Sequence, residues 1–499
     1  MLRTPTIVFF LLPGISLCAV DAVVGADSPV NGGKARIQAF GEGGSIKMLY
    51  DRRQRPQSVY LNGKVHIVFK GGGKAGTPAK SAKTIPMAIT YDPTTRKFSD
   101  VVTLGPAHKD HHYAPVIWAD EDNFLHVLYG CHRKPGTHLI SKRPADIGAG
   151  LDAWWKAPQI AKGISYPTAF RISGDRELVY YRTDGHSSSW TYRISEDNGE
   201  TWTGPAQDVT DMDIAGRLEW SSYQSKLTSA DGRFLHVVFT SYDDVKSNDP
   251  KRLYNARYDQ PVRNDWKYNL YYVKIDLETH AVSNFDGTRM KTPIDADTAD
   301  ATCRIWNTEG RGAGVPPTIM LDENGAPAFL HVLSEDTLED HRYYYVRRVN
   351  GAWKQTPIAH SNHQWNSCHL SRDNEGTLHA YLIVGDGYLE TQGFTGETGT
   401  ESRKEYGYMD KHGGGLIEEW TSSDQGNTWQ KQRDLIPDTS QYPGWIYNNI
   451  QPVRRPDGSI VDGMLLFYGW NDHNVPKARA FLLHEGTMLD PVESISTNN

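Results

Sequence analysis

The sequence is poor in three things, and each shortage removes a class of protein. Cysteine is scarce, with four in 499 residues. One of them, Cys18, lies in an N-terminal segment that reads as a removable leader, which leaves Cys131, Cys303 and Cys368. Three cysteines make no disulfide framework, although an oxidising compartment would permit one bridge. Long apolar runs are missing beyond residue 26, so no membrane span is expected. No stripe of Lys and Arg appears, and the formal net charge is −7, which disfavours nucleic acid as a partner. An acidic sugar polymer stays admissible, because a local cluster of Arg and His binds anions whatever the total charge.

The leader itself has Arg3 as its positive start, an interrupted apolar core from Ile7 to Val20, and the small-residue cleavage site Val24-Gly25-Ala26. The expectation is a signal peptide over residues 1–26, a secreted or periplasmic protein, and a single mature domain over 27–499. Action as a monomer is expected.

Aromatics and turn formers are plentiful instead: 14 Trp, 26 Tyr, 46 Gly and 27 Pro, as suits many short strands joined by many turns. One unit recurs along the chain: an apolar strand, a turn of Asp, Asn and Gly, then a second strand often reading Leu-His-Val. It appears at residues 58–69, 115–129, 167–181, 225–239, 317–333, 368–382 and 451–468. Each copy is a β-hairpin with turn chemistry suited to positive φ. A single hairpin cannot bury both of its faces, whereas blades stacked in a ring can. The spacing leaves room for two more strands per repeat, with one longer gap before the fifth, and predicts an all-β, seven-bladed β-propeller rather than a β-sandwich or β-helix. Two stretches, Ser195 to Trp202 and Ser422 to Trp429, match the Asp-box pattern Ser-x-Asp-x-Gly-x-Thr-Trp of sialidases and other propellers. Those residues are expected to be structural.

In each hairpin the start of the first strand and the end of the second share one face of the ring, so functional residues are expected there. The second hairpin places His111, His112, Cys131 and His132 at those positions. The third places Tyr166 and Arg182, and the fourth Trp220, Tyr223, Tyr242 and Asp243. His66, His126, His236, His331 and His379 instead occupy a repeated strand position and read as scaffold. Tyr166 alone could be a packing aromatic, and Arg182 alone could pair with Asp184; the constellation carries the weight.

That constellation resembles the ulvan lyases of polysaccharide lyase families 24 and 25, which are seven-bladed propellers. Their pattern has a His just before a strand, a second His about twenty residues on, a Tyr-Pro in the next blade and an Arg sixteen residues beyond the Tyr. Here the matching residues are His112, His132, Tyr166 followed by Pro167, and Arg182. The specific motifs fall between about residues 110 and 245. The resemblance implies β-elimination on a sulfated, ulvan-like uronate polymer. Arg182, with His132 assisting, would neutralise the carboxylate. His112 and Tyr166 would supply the base and the acid, in an order the sequence leaves open. Tyr223, Trp220 and Tyr242 would hold sugar. The chemistry needs no cofactor, but a structural zinc is implied, for which His360, His363, Cys368 and His379 have plausible spacing. Two alternatives stand beside this reading. One is a sialidase-like glycoside hydrolase, suggested by Phe170-Arg171-Ile172-Ser173; the other is a non-catalytic glycan-binding propeller.

Overall fold

A computed structural model describes residues 39–43, 57–72, 83–108, 110, 112–185, 188–211, 220–243, 254–261, 266–337, 340–361, 363–384, 413–436, 445–470, 478–484 and 487–489. The expected leader over residues 1–26 lies outside them, as does His111. Ala35–Asn499 forms one compact unit.

All seven hairpins are present, and each begins a blade. Their inner strands are Ser58–Leu61, Val116–Ala119, Ser165–Ile172, Trp220–Thr228, Thr318–Leu321, Cys368–Arg372 and Ile446–Arg454. Each pairs antiparallel with the next strand in the chain, and the inner strands touch one another in sequence order, the seventh meeting the first. The ring is therefore closed at seven blades.

Side-chain alternation explains why these segments stack. In blade 2, Ile117 and Ala119 enter the apolar cluster shared with blade 1, while Val116 and Trp118 enter the one shared with blade 3. A strand with period two thus feeds both of its seams. Seven separate apolar clusters result, one at each seam between successive blades.

The Asp boxes brace the outer parts of blades 3 and 6. Asp197 accepts from the Thr201 backbone N–H (2.8 Å), and Ser195 Oγ accepts from the Gly199 N–H (2.8 Å). Asp424, Thr428, Ser422 and Gly426 repeat the pattern. Gly199 and Gly426 hold φ of 82° and 83°, which side-chain-bearing residues rarely adopt. Trp202 and Trp429 pack into the neighbouring seams, so both boxes are structural as expected.

Three departures from regular four-stranded blades have visible causes. Blade 3 has three full strands, its fourth reduced to the isolated bridges Ile194–Thr203 and Trp190–Thr210. The long gap before the fifth hairpin is filled by a short helix at Ala296–Thr298, a π turn at Ala299–Cys303 and strands Arg304–Trp306 and Gly312–Ala313 that return to blade 4. In blade 7, the strand Ala39–Gly43 pairs with Ala478–His484, so the N-terminal part of the chain closes the ring. Cys131, Cys303 and Cys368 are buried thiols with no disulfide. No helix among the described residues is long and apolar enough to cross a membrane.

Candidate active site

Strand ends of blades 2, 3 and 4 converge on one face. His112 lies in the approach to Val116–Ala119, and His132 follows Leu125–Tyr129. Tyr166 is the second residue of Ser165–Ile172, and Arg182 is the last of Arg176–Arg182. The His112 and His132 rings are 4.4 Å apart between centres, and the Tyr166 ring lies 5.3 Å from His112 and 6.0 Å from His132. The Arg182 guanidinium carbon sits 4.6 Å from the centre of the Tyr166 ring and 5.3 Å from that of Tyr223. Tyr223 in turn contacts Tyr242 at 5.2 Å. Six of the residues expected from sequence are thus one constellation. Trp220 opens the inner strand of blade 4, but its side chain lies outside the described residues.

Local backbone features aim these groups. Tyr166 has φ of 55°, and the strand register slips between Ser165 and Thr168. Pro167 bars the right-handed helical region to the residue before it. A non-glycine residue held at positive φ costs about 1–3 kcal/mol, a strain found mostly where a side chain must be re-aimed. The bulge turns the Tyr166 ring against Arg182, and both residues are fully buried.

Asp110 completes the cluster and was not singled out in the sequence. Its Oδ2 accepts from His132 Nδ1 at 2.8 Å, and its Oδ1 accepts from the His112 backbone N–H at 2.9 Å. Burial acts to raise the Asp110 carboxyl, but the hydrogen bond from His132 and the charge of His112 outweigh it and hold the group at about 2. The carboxylate therefore stays ionised and fixes the His132 ring. His132 Nε2 is left buried, with no hydrogen-bond partner among the described residues. The ligand atoms of Asp110, His112 and His132 lie within 4.8 Å of one another, so the trio could coordinate a metal ion.

The four residues expected to hold zinc are not brought together. His379 Nδ1 bonds Glu419 (2.8 Å) and Nε2 bonds Asp373 (3.1 Å), so carboxylates occupy both nitrogens. The bond to Glu419 raises the His379 pKa, which works against metal binding, since a ligand imidazole must be neutral. His360 is engaged by Arg342 and Asp340 on an exposed strand. His363 Nδ1 accepts from the Trp365 backbone N–H, and Cys368 Sγ lies 3.8 Å from Thr318 Oγ1. The donor set does not fit a closed four-ligand zinc. The scaffold histidines behave as expected: His66 bonds Thr90, His126 bonds Asp120 and His138, and His236 bonds Tyr272, while His331 is fully buried. Arg171, the arginine of the sialidase-like string, pairs with Asp175 at the turn, on the opposite face from the site.

A model of the BNR repeat-containing family matches residues 82–361. The chain is 24% identical over 307 residues to an ulvan lyase of Alteromonas sp. (strain LOR), covering 55% of this chain and 57% of that one. It is 21% identical over 490 residues to an ulvan lyase of Nonlabens ulvanivorans, covering 90% and 91%. The match to the Alteromonas protein thus spans little more than half of that relative's length. A solved PL25 ulvan lyase superposes with a TM-score of 0.67 at 15% identity, over 91% of this chain and 97% of that one. A PL25 ulvan lyase bound to -[GlcA(1-4)Rha3S]- superposes at 0.68 with the same identity and coverage. The chain belongs to the BNR repeat-containing family, as a seven-bladed propeller related to the PL24 and PL25 ulvan lyases.

Proposed function

We propose that this protein is a secreted polysaccharide lyase that cleaves a uronate-containing, ulvan-like sulfated polymer by β-elimination. The observation that carries the reading is Arg182 packed between Tyr166 and Tyr223, with His112 and His132 against the Tyr166 ring. Abstraction of the proton α to a uronate carboxylate is slow until the carboxylate's charge is neutralised. Arg182 supplies a permanent cation with a fork that matches a carboxylate. His132, held through Nδ1 by Asp110, presents its buried Nε2 as a second partner for the carboxylate. The base then takes the C5 proton, its electrons form the C4–C5 double bond, and the C4–O bond breaks. The departing oxygen receives a proton from the acid. His112 and Tyr166 fill those two roles, their rings meeting edge to face. Tyr223 and Tyr242 line the sugar path. The relatives' names, and the glucuronate–rhamnose sulfate bound in the solved PL25 enzyme, support the same substrate class.

The test is incubation with ulvan and with non-uronate polymers, following the ultraviolet absorbance of a double bond conjugated to a carboxylate. Absorbing products from ulvan alone are expected. Saturated products would replace the reading by a glycoside hydrolase, and binding without cleavage by a glycan-binding propeller. No step passes through a metal. An ion such as zinc held by Asp110, His112 and His132 would tie up the imidazole nitrogens that the elimination needs. Added zinc is therefore expected to inhibit and a chelator to restore the rate; stimulation by zinc would overturn this assignment.

A further inference from the structure

The third strand of blade 4 opens with Lys267, a lysine with no exposure to solvent. Its Nζ lies 4.7 Å from the centre of the Tyr223 ring, 5.0 Å from Tyr242 and 4.7 Å from Trp365. An ammonium drawn out of water is costly, and lysine is seldom fully buried. Three aromatic faces contribute to the compensation, because a ring's negative face attracts a cation more strongly once both are desolvated. Tyr223 is also the ring that Arg182 approaches at 5.3 Å. One phenol thus lies against two cationic side chains.

We propose that Lys267 is a positioning residue for the elimination. It seats Tyr223 and Tyr242, and it adds a second positive charge behind Arg182 that acts on the bound uronate. The proposal rests on the lyase reading and extends it to a residue that the hairpin pattern does not reach. Its expected signature follows from charge. The uronate carries one negative charge when bound, and more accumulates on its carboxylate as the C5 proton leaves. A fixed cation nearby therefore stabilises the transition state more than the bound substrate, and its removal lowers kcat more than it raises KM.

The test compares Lys267→Met, which keeps the length and removes the charge, with Lys267→Arg, which keeps the charge. Both variants are made in the full chain, with folding checked by circular dichroism. Initial rates on ulvan give kcat and KM, and affinity electrophoresis in ulvan gels gives binding. Lys267→Met should lose kcat on the order of tenfold with a smaller change in KM, as suits a charge acting across one ring. Lys267→Arg should recover most of the loss. Equal rates in Lys267→Met and wild type would overturn the proposal. So would equal impairment of both variants, which would assign Lys267 to packing alone. If wild type releases no unsaturated sugar, the lyase reading fails separately. Gel retardation then decides for Lys267, since a charge acting on a bound anion requires weaker retardation of the Met variant than of the Arg variant.

Discussion

Tyr166 packs against Arg182, His112, His132 and Tyr223 at once, from a backbone conformation that most residues avoid. Tyr166→Phe keeps that packing and removes one hydroxyl. Ulvan binding is expected to survive while kcat falls by about 10²-fold or more, the usual worth of acid–base catalysis. Arg182→Lys keeps the charge and loses the fork, so KM and kcat should both suffer. A folded and fully active Tyr166→Phe protein would remove the hydroxyl from the mechanism. At this scale the sequence was legible where a residue type broke the hairpin repeat, as His112 and His132 do. It was not legible for Asp110, which beside two histidines looks like any loop carboxylate; only the fold brings it to His132. Lys267 was hidden for a related reason. A third strand begins on the face where the second strand ends, a position outside the repeated hairpin. The zinc quartet failed because sequence spacing does not register which carboxylates stand across the sheet, and Glu419 stands across from His379.

At the scale of the strand, the repeated histidine position has a thermodynamic consequence. Burial pushes His66 and His236 down to about 4 and His331 to about 3. Each is neutral in the folded blade, whereas in the unfolded chain each takes a proton near its ordinary value of 6.5. The unfolded state therefore binds more protons as the medium becomes acidic. The stabilisation is complete above pH 6.5 and is lost as the pH falls from there towards 4, at about 1.4 kcal/mol per pH unit for each histidine. Urea midpoints across that window should drop steeply, and His236→Gln should flatten the slope by one histidine's share. A profile level from neutrality to the folded values would show that these rings do not govern acid stability. The hairpins and Asp boxes were readable because Asn, Asp and Gly at fixed offsets have a local reason to be there. The outer strands were not, since a segment as short as Lys97–Phe98 carries no periodicity to detect.

The whole molecule is a ring whose count of seven could be read from the repeats, while its closure could not. Nothing local in residues 39–43 announces that Ala39 pairs with Phe481. Phe40 is buried in the last seam against Phe69 and Phe98, so blade 7 is built from both ends of the propeller. Every side chain assigned to the site, from Asp110 to Lys267, precedes blade 7. On the ribosome they are all present long before activity is possible. The closing strand emerges before the other described strands and must wait for its partner until Ala478–His484 has been made. A transcript cut short before that strand would encode the complete site and still yield an open stack of blades. Premature release therefore produces a chain with intact chemistry on paper and an exposed sheet edge in practice, the kind of species that aggregates or is degraded.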